Sequence, residues 1–384
     1  MEHTYPTLSY ALENNTFVDI DQQINDDIKN GFPGAGLIIV KNNKIIKQSV
    51  YGYKLKYSDS GKLLKNFEPM QADTMFDLAS NTKMYATTYA IMHLATIGKI
   101  NLMNTIDNYL TTDEFGTNNQ VPQVINLLKH DAGFDPERLE FRYPIGDKPV
   151  YSDIDFILLG KIIEKITKQP LDKYVENTFY KPLGLNHTLY NPLLKGFTKS
   201  DCAATEINGN TRGHTISLPN IRTTTIQGEV HDEKAYYKLS GIAGHAGLFS
   251  NLHDMAVLTQ IMLNKGGYGK YQFWTPEIQG QFTSPNPLDT SFGLGWRRAG
   301  EINTRSLSWF SEYASNQAIG HTGWTGTVTL IDPCYDLAII LLTNKKHSDY
   351  IDGSFMGDSF ATGQYTKIIS LIYQNLIKAS KLNL

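Results

Sequence analysis

Cysteine is nearly absent from this chain of 384 residues: Cys202 and Cys334 are the only two, and they stand far apart. That excludes a disulfide-stapled scaffold and any cysteine-based metal site, leaving two ordinary thiols or at most one bridge. No apolar run approaches the ~20 residues that a membrane-spanning helix needs. Neither charge sign dominates. The 35 Lys and Arg against 38 Asp and Glu give a net charge of -3, with the lysines scattered. A nucleic-acid footprint and a polybasic membrane patch are both excluded on that ground. Repeats and low-complexity tracts are missing as well. The start, Met1-Glu2-His3-Thr4-Tyr5-Pro6, has no basic segment leading into an apolar one. The chain is therefore either cytosolic or written without an export signal that has been removed. What remains is a chain long enough for one large domain or two smaller ones, with 22 tyrosines that suit a broad polar surface or cleft.

The most informative segment is Ser80-Asn81-Thr82-Lys83, where a long helical pattern begins. A serine hydroxyl is a weak nucleophile at neutral pH and needs an adjacent base. Residues three apart on a helix share a face, so the Lys83 amine can reach the Ser80 hydroxyl. A helix N-terminus would favour negative charge developing there. Taken alone, the tetrapeptide also fits a capped helix start with a solvated lysine. Serine and lysine are each roughly one residue in fifteen, so about one or two such pairs arise by chance.

Along the chain, Phe17 to Gly31 reads as an amphipathic helix with Val18, Ile20, Ile24 and Ile28 on its apolar stripe. A hairpin follows, Ala35 to Val40 and Lys44 to Tyr51, turning at Asn42-Asn43. Ser80 to Gly98 is helical, and further helices fit Val121 to Lys129, Asp153 to Thr167, Leu171 to Phe179 and Leu252 to Leu263. Strands return at Thr325 to Ile331 and Leu337 to Thr343, and a last helix runs from Gln364 to Ala379. Strands at both ends around a helical middle predict an α+β fold, with one antiparallel sheet drawn from both termini. The division expected is a single catalytic unit over 14–384: a sheet lobe from 14–75 and 286–384, and a mainly helical lobe from 76–285.

Two more segments carry chemistry. Val150-Tyr151-Ser152-Asp153 precedes a strong helix, and a phenol there could exchange a proton with Ser80 under the influence of Lys83. Gly320-His321-Thr322-Gly323-Trp324-Thr325-Gly326 leads into a strand. Its glycines let a substrate backbone approach as if adding to a sheet edge, and His321 and Thr322 could bind a carboxylate or carbonyl. Each segment alone also fits a packed tyrosine or a glycine-rich edge strand.

The three together, in this order, resemble the serine β-lactamase and penicillin-binding-protein family. The resemblance runs from about Gln22 to Leu376. Leu127 to Phe134 is similar to the "LLTHTSGL" segment of the class-C-like branch, Tyr151-Ser152-Asp153 with Leu158 to Glu164 to its "YSN…LLGxIIE", Pro182 to Leu185 to its "PLGM", and Phe292 to Trp296 to its "YGLGW". Gly228 to Glu233 and Gly244 to Ser250 look like a sub-branch of D-Ala-D-Ala carboxypeptidases. The resemblance implies a cleft between a sheet lobe and a helical lobe. It implies Ser80 as nucleophile, Lys83 and Tyr151 sharing the proton work, and the Ser80 and Trp324 backbone N–H groups as an oxyanion hole. His321 and Thr322 would hold the substrate carboxylate, with Asp153 and Gly323 beside them. The activity implied is D-alanyl-D-alanine carboxypeptidase on cell-wall peptides, with weak β-lactam hydrolysis, at the cell envelope or outside the cell and with no cofactor. A carboxylesterase on short acyl esters and a non-catalytic penicillin-binding sensor are the alternatives.

Two departures stand out. Asp153 replaces the usual asparagine, and a carboxylate cannot donate to a substrate amide as an amide can. His321 replaces the frequent lysine and is a weaker, pH-dependent cation. The pairs His130-Asp131, His231-Asp232 and His253-Asp254 lack the paired-histidine spacing of a metal site, so no metal is expected. His231 and His245 are expected to shape loops at the cleft rim, and His130 and Asp131 to brace one.

Overall fold

The computed structural model describes residues 4–381, so Met1 to His3 of the N-terminal start lie outside the described residues. In chain order, β1 (Ser9–Tyr10) and α1 (Val18–Lys29) precede the hairpin β2 (Gly34–Lys41) and β3 (Lys44–Tyr57). Asn42 and Asn43 both take positive φ, 51° and 60°, which matches the twist that two-residue hairpin turns require. β4 (Leu63–Pro69) adds to β3, and the chain then leaves the sheet through β5 (Phe76–Asp77).

The middle is mainly helical. It holds α2 (Tyr89–Thr96), α3 (Val124–Lys129), α4 (Asp153–Thr167), α5 (Leu171–Val175), α6 (Glu233–Lys238), α7 (Leu252–Leu263) and α8 (Pro276–Thr283). A small three-stranded sheet, with β6 (Leu189–Tyr190) and β7 (Leu248–Ser250), ties β5 to this region. The chain returns through β8 (Arg297–Arg298), β9 (Ile319–Gly323), β10 (Thr327–Asp332) and β11 (Leu337–Thr343), and ends on α9 (Thr366–Lys378).

The eight-stranded sheet has the order β1-β3-β2-β11-β10-β9-β8, with β4 on β3. N-terminal β2 lies antiparallel to C-terminal β11, from Ala35 opposite Thr343 to Lys41 opposite Leu337. This joins the two chain ends as expected, with one parallel pair, β1 on β3, at the edge. Every residue of β2 and β11 is buried, because helices cover both faces. Ile38, Val40, Ile340 and Leu342 face the helical middle, while Leu37, Ile39, Ile339 and Leu341 face α1 and α9. The alternation follows the two-residue period of a strand.

Several boundaries differ from the sequence reading. Val18 is 58% exposed, since α1 starts there and turns Ile20 and Ile24 inward instead. The stretch after Ser80 is not a regular α-helix. A 3₁₀ turn at Ala79–Asn81 is followed by a π-helical segment, Lys83–Thr88, before α2 begins. Within it the Thr88 hydroxyl donates to the Lys83 carbonyl (2.7 Å), five residues back. Such wide turns concentrate at functional sites. Both cysteines are free thiols, Cys202 buried and Cys334 exposed.

Candidate active site

A cleft of about 350 Å³ opens between the sheet and the helical middle, and Ser80 lies in its lining. The turn that carries Ser80 is fixed from three sides. Asp77, buried, accepts from the Ala79 N–H (2.9 Å) and the His231 N–H (2.7 Å), holding Ala79 at φ 47° just before Ser80. Thr325 and Thr327 donate to the carbonyls of Asp77 (2.7 Å) and Leu78 (2.9 Å). Asn81 closes the third side by donating to Thr327 Oγ1 (3.0 Å) and accepting from Thr329 Oγ1 (3.0 Å). Gly323 has to be glycine here, because a Cβ would lie 2.3 Å from the Leu78 carbonyl oxygen. The motif Gly320–Gly326 thus forms β9 and its hairpin turn rather than the approach to a strand.

Lys83 Nζ is fully buried and donates to Ser80 Oγ (2.9 Å), Asp153 Oδ1 (2.8 Å) and the His245 carbonyl (3.3 Å). Burial alone would pull the Lys83 amine down. The Asp153 charge and Tyr151 outweigh it and hold the ammonium above the ordinary lysine range. Asp153 responds in the opposite sense. Burial disfavours its carboxylate, but Lys83, His245 and Lys234 keep it ionised well below the ordinary aspartate range. The Ser152 side chain accepts from the Ile154 N–H (3.2 Å), capping α4 and setting Tyr151 and Asp153 at its N-terminus.

Tyr151 lines the cleft with its ring centroid 4.9 Å from Lys83 Nζ, and its buried hydroxyl has no hydrogen-bond partner among the described residues. The phenol therefore stands beside the Ser80–Lys83 pair without bonding either. Behind it, His130 Nδ1 accepts from the Ser152 N–H (3.2 Å) and lies 2.9 Å from Asp155 Oδ2. Burial pushes the His130 pKa down and the Asp155 pKa up, disfavouring the charged form of each.

On the opposite wall His321 is buried, and burial, helped by Lys83, pushes its pKa down to about 3. Its Nδ1 donates to the Thr322 carbonyl (2.7 Å), which leaves Nε2 as an unpartnered lone pair. His321 is thus a neutral acceptor near neutral pH rather than a cation. The cation on this wall is Arg297, which the sequence reading passed over. Its guanidinium stacks on Phe292 (3.9 Å), donates to Ser291, and has no carboxylate within salt-bridge distance among the described residues. β8 pairs Arg297 with Gly320, directly before His321. Arg212, the other arginine in the lining, is held by Glu233 (2.7 and 2.9 Å).

Thr322 lies in the lining, and the Trp324 ring stacks on His231 (4.4 Å) with Arg212 4.9 Å away. His231 in turn meets Glu206 (2.8 Å), and His245 meets Asp232 (2.7 Å). His231 and His245 thus pair across the fold and not with their sequence neighbours, whereas His253 lies 3.7 Å from Asp254. Asp153, Asp232 and His245 bring ligand atoms within 4.8 Å of one another. Both oxygens of Asp153 already face ammonium groups, Lys83 at 2.8 Å and Lys234 at 3.3 Å.

Residues 17–354 match the family model described as Beta-lactamase. The chain belongs to the beta-lactamase family. The "N-acetylmuramyl-L-alanine amidase" of Bacillus subtilis (strain 168) is 48% identical, over 92% of this chain and 88% of that protein. A "Putative D-alanyl-D-alanine carboxypeptidase" of Salmonella typhimurium is 42% identical, over 97% and 95%. Among solved structures, a penicillin-binding-protein homologue from Caulobacter crescentus superposes with a TM-score of 0.66 at 17% identity, covering 95% of this chain and 99% of that one. EstCE1, a hydrolase with promiscuous acyltransferase activity, gives 0.68 at 17% identity, covering 92% and 99%. At that identity the likeness is one of fold. The beta-lactamase-family chain is a hydrolase of the serine β-lactamase and penicillin-binding-protein type.

Proposed function

We propose that the protein hydrolyses amide bonds of cell-wall peptides through an acyl-enzyme on Ser80, acting as a D-alanyl-D-alanine carboxypeptidase. Ser80 Oγ attacks the carbonyl carbon of the penultimate D-alanine. With Lys83 held as the ammonium by Asp153, Tyr151 acts as the base: its phenolate oxygen, stabilised by that ammonium, takes up the serine proton and returns it to the leaving nitrogen as the C–N bond breaks. The Ser80 and Trp324 N–H groups stabilise the oxyanion, an effect of about 3–4 kcal/mol per donor. Water then cleaves the Ser80 ester. The observation that supports this reading is the Arg297 guanidinium, which shares the cleft lining with His321 and Thr322 and has no carboxylate against it among the described residues; it would hold the carboxylate of the departing D-alanine. With a cell-wall substrate, the place of action is the cell envelope.

A second reading is favoured by the 48% identity to the amidase: cleavage of the bond between N-acetylmuramic acid and L-alanine by the same serine. Trp309, in the cleft lining, would then face the sugar. The test is the product mass from an N-acetylmuramyl pentapeptide. Loss of one alanine supports the carboxypeptidase, and release of the intact peptide supports the amidase. Ser80→Ala should abolish either product and also a covalent penicillin adduct. Turnover by Ser80→Ala equal to that of the unaltered protein would overturn the serine mechanism.

A further inference from the structure

Asp153 leaves a gap in the recognition of substrate. In the resemblance described above, the residue at this position is an asparagine whose amide donates to a substrate carbonyl, and an ionised carboxylate has no proton to give. The carboxylate is also fully engaged, with Oδ1 on Lys83 (2.8 Å) and Oδ2 on Lys234 (3.3 Å). Lys234 comes from the first turn of α6, where Asp232 accepts from the Ala235 N–H (2.9 Å) and so fixes the helix start. Its ammonium has three N–H donors. One goes to Glu137, one to Asp153, and the third has no partner among the described residues. Its neighbours Glu137, Asp153 and Asp232 line the cleft, and the Lys234 side chain sits directly behind them, 16% exposed.

We infer that Lys234, seated on Asp153, is the donor that reads the acyl-side amide carbonyl of the substrate. Asp153 then has two tasks: it holds the Lys83 ammonium against Ser80 with one oxygen and positions Lys234 with the other. Lys234 stays charged over the working range. Burial alone would lower it, but Asp153, Asp232 and Glu137 raise it to about 12. This inference deepens the reading of Ser80 as the acylated residue and rests on it.

The test compares N-acetyl-D-alanyl and propionyl esters of one leaving alcohol, which differ in the acyl-side amide. The readout is the ratio of their kcat/KM values. Lys234→Met should collapse that ratio by about 10- to 100-fold, the weight of a hydrogen bond from a charged donor, chiefly through KM of the amide-bearing ester. Lys234→Gln keeps an N–H donor without the charge and should retain most of the ratio. An unchanged ratio in Lys234→Met, or equal losses on both esters, would overturn the inference, since equal losses would mean that Lys234 acts only through Asp153 and Lys83. So would a Gln variant whose ratio falls as far as that of Met. Ser80→Ala is the separate control. Retained turnover there rejects the serine reading itself, whatever Lys234 does.

Discussion

On the helical side of the cleft, Lys83, Asp153, Lys234 and Glu137 form a chain of alternating charges, each within hydrogen-bond or ion-pair reach of the next. On the sheet side, His321 is neutral with a bare Nε2, and Arg297 carries a positive charge with no carboxylate against it among the described residues. The first wall cancels its charges internally, and so its field fixes geometry around Ser80. The second wall leaves its charge and its acceptor open to whatever enters. An anionic group on a ligand would therefore orient toward β9 and β8, while a carbonyl on the proposed path would meet a Ser80 hydroxyl held rigidly in place.

Breaking the helical wall should have the largest effect. Lys83→Met leaves Asp153, nearly buried, with only Lys234 as a partner. Turnover should fall by about 10³-fold or more, and stability by about 3 kcal/mol, as expected when one member of a buried ion pair is removed. Denaturant unfolding and kcat measure the two separately. Adding Asp153→Asn to Lys83→Met should restore much of the stability and none of the turnover. If stability stays lost, the charge chain is not what holds this wall.

Arg297→Gln tests the other wall and should cost less. With the fold intact, KM for a substrate ending in a free carboxylate should rise by about 10- to 100-fold. The same peptide capped as a methyl amide should lose no more than about threefold. Equal losses on both would show that Arg297 serves packing against Phe292 and not the carboxylate.

The difference between the walls also marks what the sequence could reveal. Ser80 and Lys83 are three residues apart, so a local rule of helix geometry places them together. Tyr151 and the β9 motif were legible through order and family resemblance, and the meeting of β2 with β11 through strands at both ends of the chain. Arg297, Asp77 and Lys234 were not legible in this way. Each matters through a partner distant in sequence: Gly320 for Arg297, His231 for Asp77, Asp153 for Lys234. The charge of His321 was misjudged for a related reason. Burial set it, and burial is a property of the assembled cleft. The irregular helix after Ser80 was hidden because all six residues of Lys83–Thr88 are buried, so no alternation of buried and exposed positions marks the change from a π-helical to an α-helical period.

Neutrality of the sheet wall has a consequence for acid stability. His321, at about 3, and His347, at about 4, both stay unprotonated when folded, chiefly through burial. Unfolded, each would titrate near 6.5. Between about pH 6.5 and 4 the unfolded chain therefore binds more protons, and stability falls as pH falls, by about 1.4 kcal/mol per unit for each histidine. Asp155, raised by burial, acts in the opposite direction as pH rises above the ordinary aspartate range. A variant isolates the term: His321→Gln should flatten the slope of unfolding free energy against pH by about one proton over this window. An unchanged slope would mean that His321 is charged in the folded protein, and the contrast between the walls would disappear.

The smallest expected effect lies at the seam between the walls. Ala79 holds φ 47°, a region that costs a residue with a Cβ about 1 kcal/mol or more. Asp77 and the β9–β10 turn impose that conformation, since they hold the Ala79 N–H and the Leu78 carbonyl from opposite sides. Glycine accepts the same φ without strain but has more freedom when unfolded. Ala79→Gly should thus be more stable by about 0.5 kcal/mol and show a kcat several-fold lower, because Ser80 can then relax from the position that the strained turn enforces. Higher stability with unchanged kcat would place the strain in the fold alone. Lower stability would mean that the Ala79 methyl, packed above Gly323, contributes more than its backbone costs.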